Sequence, residues 1–255
     1  QVETIMRRKL PQLLGLILTA CAAASYGQQP AEAGKAIGVA PAITETAEGG
    51  QRWVLVVGIN DYANVARLRY ARQDAEAVRD ALIKAGFPKQ QIILMTDDAT
   101  NFAQMPTENN LRARIDQIAQ LVGPRDVLLV YFSGHGVERR GNGYLVPIDG
   151  NTNDLGSLVP LSLVRKTLET SPAKHRLLIL DACHSAAKAG DAGDSAAEAL
   201  LDPLATAAFA TISSCDVEQL SYEDDTQKQG VFTAGLLEGL AGAADNAGQG
   251  NRDGT

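Results

Sequence analysis

The apolar positions of this chain fall into two alternating rhythms. Continuous runs of strand length, Trp53-Val-Leu-Val-Val57, Ile92-Ile-Leu-Met95, Val127-Leu-Leu-Val-Tyr-Phe132 and Leu177-Leu-Ile-Leu180, are bounded by polar or small residues. Between them apolar residues recur at helical spacing: Ala71, Ala75, Val78 and Leu82; Leu111, Ile115, Ile118 and Val122; Leu161, Val164 and Leu168; Phe232, Leu236 and Leu240. A run that is apolar at every position suits a strand buried on both faces, whereas a recurrence every three to four residues gives a helix one apolar stripe. The pattern predicts strands over 51–58, 91–96, 126–132, 175–181 and 207–213, with helices between them. Gly86 stops the first helix; the second starts near Thr107 and ends at Gly123-Pro124. Val137 to Gly143, with two arginines and two glycines, reads as an exposed hairpin returning through Tyr144-Leu-Val-Pro-Ile148. Strands alternating with helices imply a three-layer α/β fold around a mostly parallel sheet.

The amino-terminal stretch does not share this pattern. Met6 reads as an initiator, and Arg7-Arg-Lys9 followed by the apolar run Leu10 to Ala20 has the layout of a secretory signal, too short to span a bilayer comfortably. It ends in Leu18-Thr19-Ala20-Cys21, similar to the bacterial lipobox, in which the cysteine is lipidated and becomes the new amino terminus. Cleavage near Ala24 or Gly27, or an uncleaved anchor, are the alternatives. Residues 1–27 are therefore expected to serve export and residues 28–50, rich in Ala, Gly, Glu and Gln, to be a flexible tether before one domain over 51–255. That arrangement places the protein at a bacterial cell envelope, lipid-anchored in the periplasm, or outside the cell, with membrane contact only through a lipid on Cys21. Ala186 to Pro203, dominated by Ala, Asp and Gly, is expected to be a mobile or cleavable loop. Asn251-Arg-Asp-Gly-Thr255 is turn-like after a helix, and a further strand is expected to follow.

Composition sharpens the picture in two ways. A hydrophobic content of 45% is ample for a core, and 23 Lys plus Arg against 30 Asp plus Glu, net −7, gives no global sign of nucleic-acid binding. An acidic surface does favour basic peptides. If Cys21 is lipidated, Cys183 and Cys215 remain, either as one structural disulfide or as a free nucleophile plus a buried spare.

Two runs end in chemistry. Val127 to Phe132 enters Ser133-Gly-His135-Gly136, and Leu177 to Leu180 enters Asp181-Ala-Cys183-His-Ser185. Parallel strands carry ligand sites at their carboxyl ends, so neighbouring ends would set a thiol beside an imidazole, which suits acyl transfer by a cysteine nucleophile. His184 competes with His135 for the role of base, but adjacent side chains on a strand point apart.

Taken together, in order and 48 residues apart from His135 to Cys183, these motifs resemble the caspase-like cysteine peptidases of the metacaspase and bacterial branch. The resemblance covers roughly residues 51 to 242 and implies a caspase-haemoglobinase-like fold. It implies Cys183 as nucleophile, His135 as acid and base, and backbone N–H groups of Gly136 and Cys183 as the oxyanion hole. In metacaspases the pocket for the residue before the cut resembles an acidic slot; the matching residues here are Asp181, Ser133 and, on the first helix, Asp74, with Asp216 a secondary candidate. Caspases that cut after Asp carry an arginine six residues before that helix Asp; this chain has Leu68 there, flanked by Arg67 and Arg69. The implied substrates are polypeptides cut after Arg or Lys. No cofactor is expected. Some metacaspases need calcium, and Asp149, Asp154, Asp191 and Asp194 are the acids on offer, without the spacing of a known calcium loop. The reading of another class is a catalytically silent module of the same fold that binds peptides or partners at the envelope.

Overall fold

The computed structural model describes residues 49–184, 209–213, 223–224 and 229–241. The expected export segment with Cys21, nearly all of the tether, the 186–203 loop, Cys215 and Asp216 lie outside the described residues.

Among the described residues one seven-stranded sheet organises the fold: β1 (Arg52–Gly58), β2 (Ile92–Thr96), β3 (Val127–Arg139), β4 (Asn142–Leu145), β5 (Val159–Pro160), β6 (His175–His184) and β7 (Phe209–Ser213). Strands β2, β1, β3, β6 and β7 pair parallel in that order. β4 pairs antiparallel with the far end of β3, and β5 antiparallel with β4. The described helices are α1 (Ala71–Lys84), α2 (Glu108–Leu121), α3 (Leu161–Thr170) and α4 (Val231–Leu240). A small ladder of β8 (Glu223–Asp224) and β9 (Gln229–Gly230) leads into α4.

Alternation along the strands divides the core into two layers. Leu55, Val57, Leu128, Val130, Phe132, Leu178 and Leu180 pack against Leu111, Ile115 and Ile118 of α2 and Leu161, Val164 and Leu168 of α3. Val54, Val56, Leu129, Tyr131, Leu177 and Ile179 pack against Ala75, Val78 and Leu82 of α1 and Phe232 and Leu236 of α4. The helix stripes read from spacing are thus the buried faces. Helix boundaries also follow local chemistry. The Thr107 hydroxyl accepts from the Asn110 N–H at the start of α2. Gly86, at φ 87°, closes α1, where Gly86 and Phe87 N–H groups reach back to the Ile83 and Leu82 carbonyls.

Two strands run further than their apolar runs indicate. β3 continues through Ser133-Gly-His135-Gly136 to Arg139, and β6 through Asp181-Ala-Cys183 to His184. The extensions pair with each other, Ser133 with Asp181, Gly134 with Ala182, His135 with Cys183 and Gly136 with His184. Backbone pairing carries each strand on where hydrophobicity stops, because a buried N–H or C=O must find a partner. β1 leaves β3 at Ser133 and β4 takes over from Gly136. The hairpin turns at Arg140 and Gly141, both at positive φ (54° and 74°), as a two-residue type I′ turn requires. Its base is buried rather than exposed: Val137 packs with Val146 and Leu158.

Candidate active site

The same alternation that buries Tyr131 and Ile179 beneath α1 and α4 assigns Ser133, His135 and Asp181 to that face of the sheet, each two or four residues further along its strand. His135 and Cys183 are direct register partners on adjacent parallel strands, while His184 sits opposite Gly136. The backbones of the two motifs therefore lie side by side at the carboxyl ends of β3 and β6.

His135 is only 5% exposed and is held from two sides by the loop between β1 and α1. Its backbone N–H donates to the Tyr62 hydroxyl at 2.8 Å, and the Tyr62 ring lies 4.9 Å from the imidazole centroid, tilted by 46°. Nε2 lies 2.8 Å from the Ala66 carbonyl oxygen. A carbonyl only accepts, so Nε2 carries the hydrogen and the neutral imidazole has its unprotonated nitrogen at Nδ1. Gly134 makes the Tyr62 contact feasible: a Cβ there would stand 2.6 Å from the Tyr62 hydroxyl.

The loop that carries Tyr62 and Ala66 is itself anchored by polar residues. Asn60 is buried; its amide donates to the Arg69 carbonyl and Gln73 side chain, and its side-chain oxygen accepts from the Arg72 N–H, each at 3.0 Å. Asp97, at the end of β2, accepts from the Asn60 and Asp61 N–H groups at 3.0 and 3.3 Å and pairs with Arg72 at 3.2 Å. Nothing in the pattern of apolar runs signals that residues 58–62 and 97–101 bond to each other. Arg67 turns to the surface, where it pairs with Asp61 at 2.8 Å, and Leu68 holds the position before the helix Asp.

A second constellation lies deeper along the same face. Asp74 is 2% exposed and Asp181 4%. The Gly230 N–H donates to both oxygens of Asp74 at 3.1 Å, and the Thr233 hydroxyl donates to Asp181 Oδ2 at 2.7 Å. Both carboxylates crowd the same backbone atom: a Cβ on Gly230 would lie 2.8 Å from Asp74 Oδ2 and 3.1 Å from Asp181 Oδ2. Asp74 on α1 and Asp181 on β6, more than a hundred residues apart in sequence, thus meet at one glycine. Ser133 is buried, in register between Gly58 and Asp181. Burial, with Asp181 and Asp74 nearby, pushes the Tyr131 phenol well above its ordinary range.

Of the other predicted residues, Gly136 stands in register between Leu145 and His184, with a Cβ there 3.3 Å from the Ala182 side chain. Asp149 and Asp154 accept from the Glu108 and Gly156 N–H groups. Among the described residues no group of three or more His, Cys, Asp or Glu could hold a metal ion, and no helix is long and apolar enough to cross a membrane. Asp191, Asp194 and Asp216 lie outside the described residues. Thr233 and Tyr131 carry roles that spacing did not reveal; a hydroxyl in the first turn of a mostly apolar helix was the available signal.

Residues 51–249 match the model of the caspase domain family. Metacaspase-1 of Cryptococcus neoformans var. neoformans serotype D (strain JEC21) is 32% identical over 147 residues, which are 53% of this chain and 32% of the relative. Metacaspase-5 of Trypanosoma brucei brucei is 30% identical over 148 residues, 54% of this chain and 29% of the relative. The chain therefore spans about a third of the length of these curated relatives. A crystal structure of a Geobacter sulfurreducens protein superposes with a TM-score of 0.54 at 18% identity, covering 76% of this chain and 83% of that one, a likeness of fold.

Proposed function

Because the chain belongs to the caspase domain family, we propose that it is a cysteine endopeptidase that works through Cys183 and His135 and cuts after Arg or Lys. The observation that carries this reading is the end of one sheet, where His135 and Cys183 are backbone register partners on β3 and β6 and the Asp74 and Asp181 carboxylates converge at Gly230.

The chemistry runs as follows. Proton transfer from the Cys183 thiol to Nδ1 of His135 yields a thiolate, which attacks the scissile carbonyl carbon. The carbonyl oxygen becomes an oxyanion, received by N–H groups of Gly136 and Cys183. Collapse breaks the C–N bond while His135 returns its proton to the leaving amine, leaving a thioester. His135 then takes a proton from water as the hydroxide adds to the thioester, and the thiol is released with the carboxylic acid. Throughout, the Ala66 carbonyl fixes the tautomer and, as imidazolium forms, accepts a stronger hydrogen bond.

Specificity follows from charge. Two buried carboxylates are matched by a guanidinium or ammonium group and repel an acidic side chain. The test is a positional-scanning peptide library, run with and without calcium on wild type and Cys183→Ala. Turnover confined to Arg and Lys before the cut, and absent in Cys183→Ala, is the expected result. Cleavage after Asp, or equal turnover by the variant, refutes it. Export with lipidation at Cys21 remains part of the proposal; radiolabelled fatty acid incorporated by the wild type and lost in Cys21→Ala is its expected sign.

A further inference from the structure

We propose that Thr233 is a positioning residue for substrate recognition, orienting Asp181 through a buried hydroxyl relay that begins at Tyr131. This rests on the basic-pocket reading above and adds to it a residue outside the acidic slot.

The geometry is specific. Thr233 is fully buried, and its Oγ1 lies 2.7 Å from Asp181 Oδ2 and 2.7 Å from the Tyr131 hydroxyl. An ionised carboxylate can only accept, so the Thr233 proton points to Asp181. The Thr233 oxygen then accepts, and Tyr131 donates to it. The direction is thus Tyr131 to Thr233 to Asp181, and it requires a protonated phenol, consistent with the upward push that burial and the two acids exert on Tyr131. Each bond in such a chain polarises the next.

The relay also explains the placement of α4. Its first turn supplies Thr233 to Asp181, and the residue just before it, Gly230, supplies its N–H to Asp74. One short segment therefore sets the orientation of both acids. A guanidinium gains from two carboxylates only if both are held at the right separation and angle before it arrives; ordering them on binding would cost affinity. An ammonium is a point charge with rotatable donors and tolerates misplacement better. Loss of the relay should consequently harm recognition of Arg more than of Lys.

The experiment compares fluorogenic peptides ending in Arg and in Lys on wild type, Thr233→Val, Thr233→Ser and Tyr131→Phe, with thermal melts to count folded protein. Thr233→Val should raise KM for the Arg peptide by about tenfold, the scale of one charge-assisted hydrogen bond. kcat should change far less, and the Arg-over-Lys preference should fall. Thr233→Ser should restore both, because it retains the hydroxyl. If Thr233→Val does not fold, Tyr131→Phe carries the test with a smaller shift in the same direction. Unchanged KM in folded variants, or a serine variant no better than valine, overturns the relay while leaving the basic pocket standing. A wild type that prefers neither Arg nor Lys overturns both.

Discussion

Gly230→Ala isolates the acidic pocket from every other feature of the fold. Gly230 has φ −67° and ψ 135°, a conformation alanine adopts without strain, so the substitution acts only through the space its methyl takes. That methyl would stand 2.8 Å from Asp74 Oδ2 and 3.1 Å from Asp181 Oδ2, and the first of these is closer than real contacts allow. Asp74 must move, and its two 3.1 Å contacts with the Gly230 N–H are lost or lengthened. Hydrogen bonds to charged groups contribute about 1.5–3 kcal/mol. Displacing one acid from its place against a cationic side chain should therefore reduce kcat/KM for an Arg substrate by roughly 10- to 150-fold, at about 1.4 kcal/mol per factor of ten. Overpacking should lower stability by about 1–3 kcal/mol. The assay is initial-rate kinetics on an Arg-ended fluorogenic peptide, with the melting temperature recorded to confirm that the domain is folded. A folded variant with wild-type kcat/KM refutes the claim that the two acids meeting at Gly230 form the recognition pocket.

Three further outcomes follow from single contacts. Tyr62→Phe removes the acceptor of the His135 N–H; kcat should fall about tenfold with little change in KM, and stability should drop by about 1–3 kcal/mol for the orphaned buried donor, checked by kinetics and denaturant titration. Asp97→Ala releases two loop N–H groups and Arg72 at once, and should loosen the Tyr62–Ala66 loop, raising amide hydrogen exchange over residues 59–70 without altering that of β3. Tyr131 holds its proton to higher pH in the fold than in the unfolded chain, where a phenol titrates near pH 10, so its stabilising contribution is complete below that pH and fades as pH rises towards the folded value. Stability measured between about pH 10 and 11.5 should fall less steeply in Tyr131→Phe than in the wild type.

Most of the scaffold was legible because burial and periodicity agree. Ala75, Val78 and Leu82, or Val164 and Leu168, are apolar at helical spacing for the same reason that they are buried: each meets the sheet. The placement of His135 and Cys183 on neighbouring strands was legible because both follow an apolar run at its carboxyl end. The extension of β3 and β6 through those residues was not, since Ser133-Gly-His135-Gly136 has no strand periodicity and stays extended through its pairing with Asp181 to His184. Nor were the partners of His135. Tyr62 and Ala66 lie about seventy residues upstream on a loop whose path is set by Asn60 and Asp97, and no local pattern encodes such a path. Thr233 illustrates the remaining gap: it neighbours Phe232 on the chain, and the stripe of Phe232 and Leu236 drew attention to the apolar face only. A polar residue that is buried because a distant carboxylate needs it becomes visible only when β6 and α4 are set side by side.

The most direct measurement is covalent labelling of the folded, reduced protein with a peptidyl-Arg chloromethyl ketone, the modified residue being located by peptide mass spectrometry. Alkylation at Cys183, slowed in Asp181→Asn and in Asp74→Asn, is the result this account predicts. Folded protein that remains unlabelled would contradict it and favour a silent peptide-binding module of the same fold, and equally fast labelling by a peptidyl-Asp chloromethyl ketone would contradict the basic specificity.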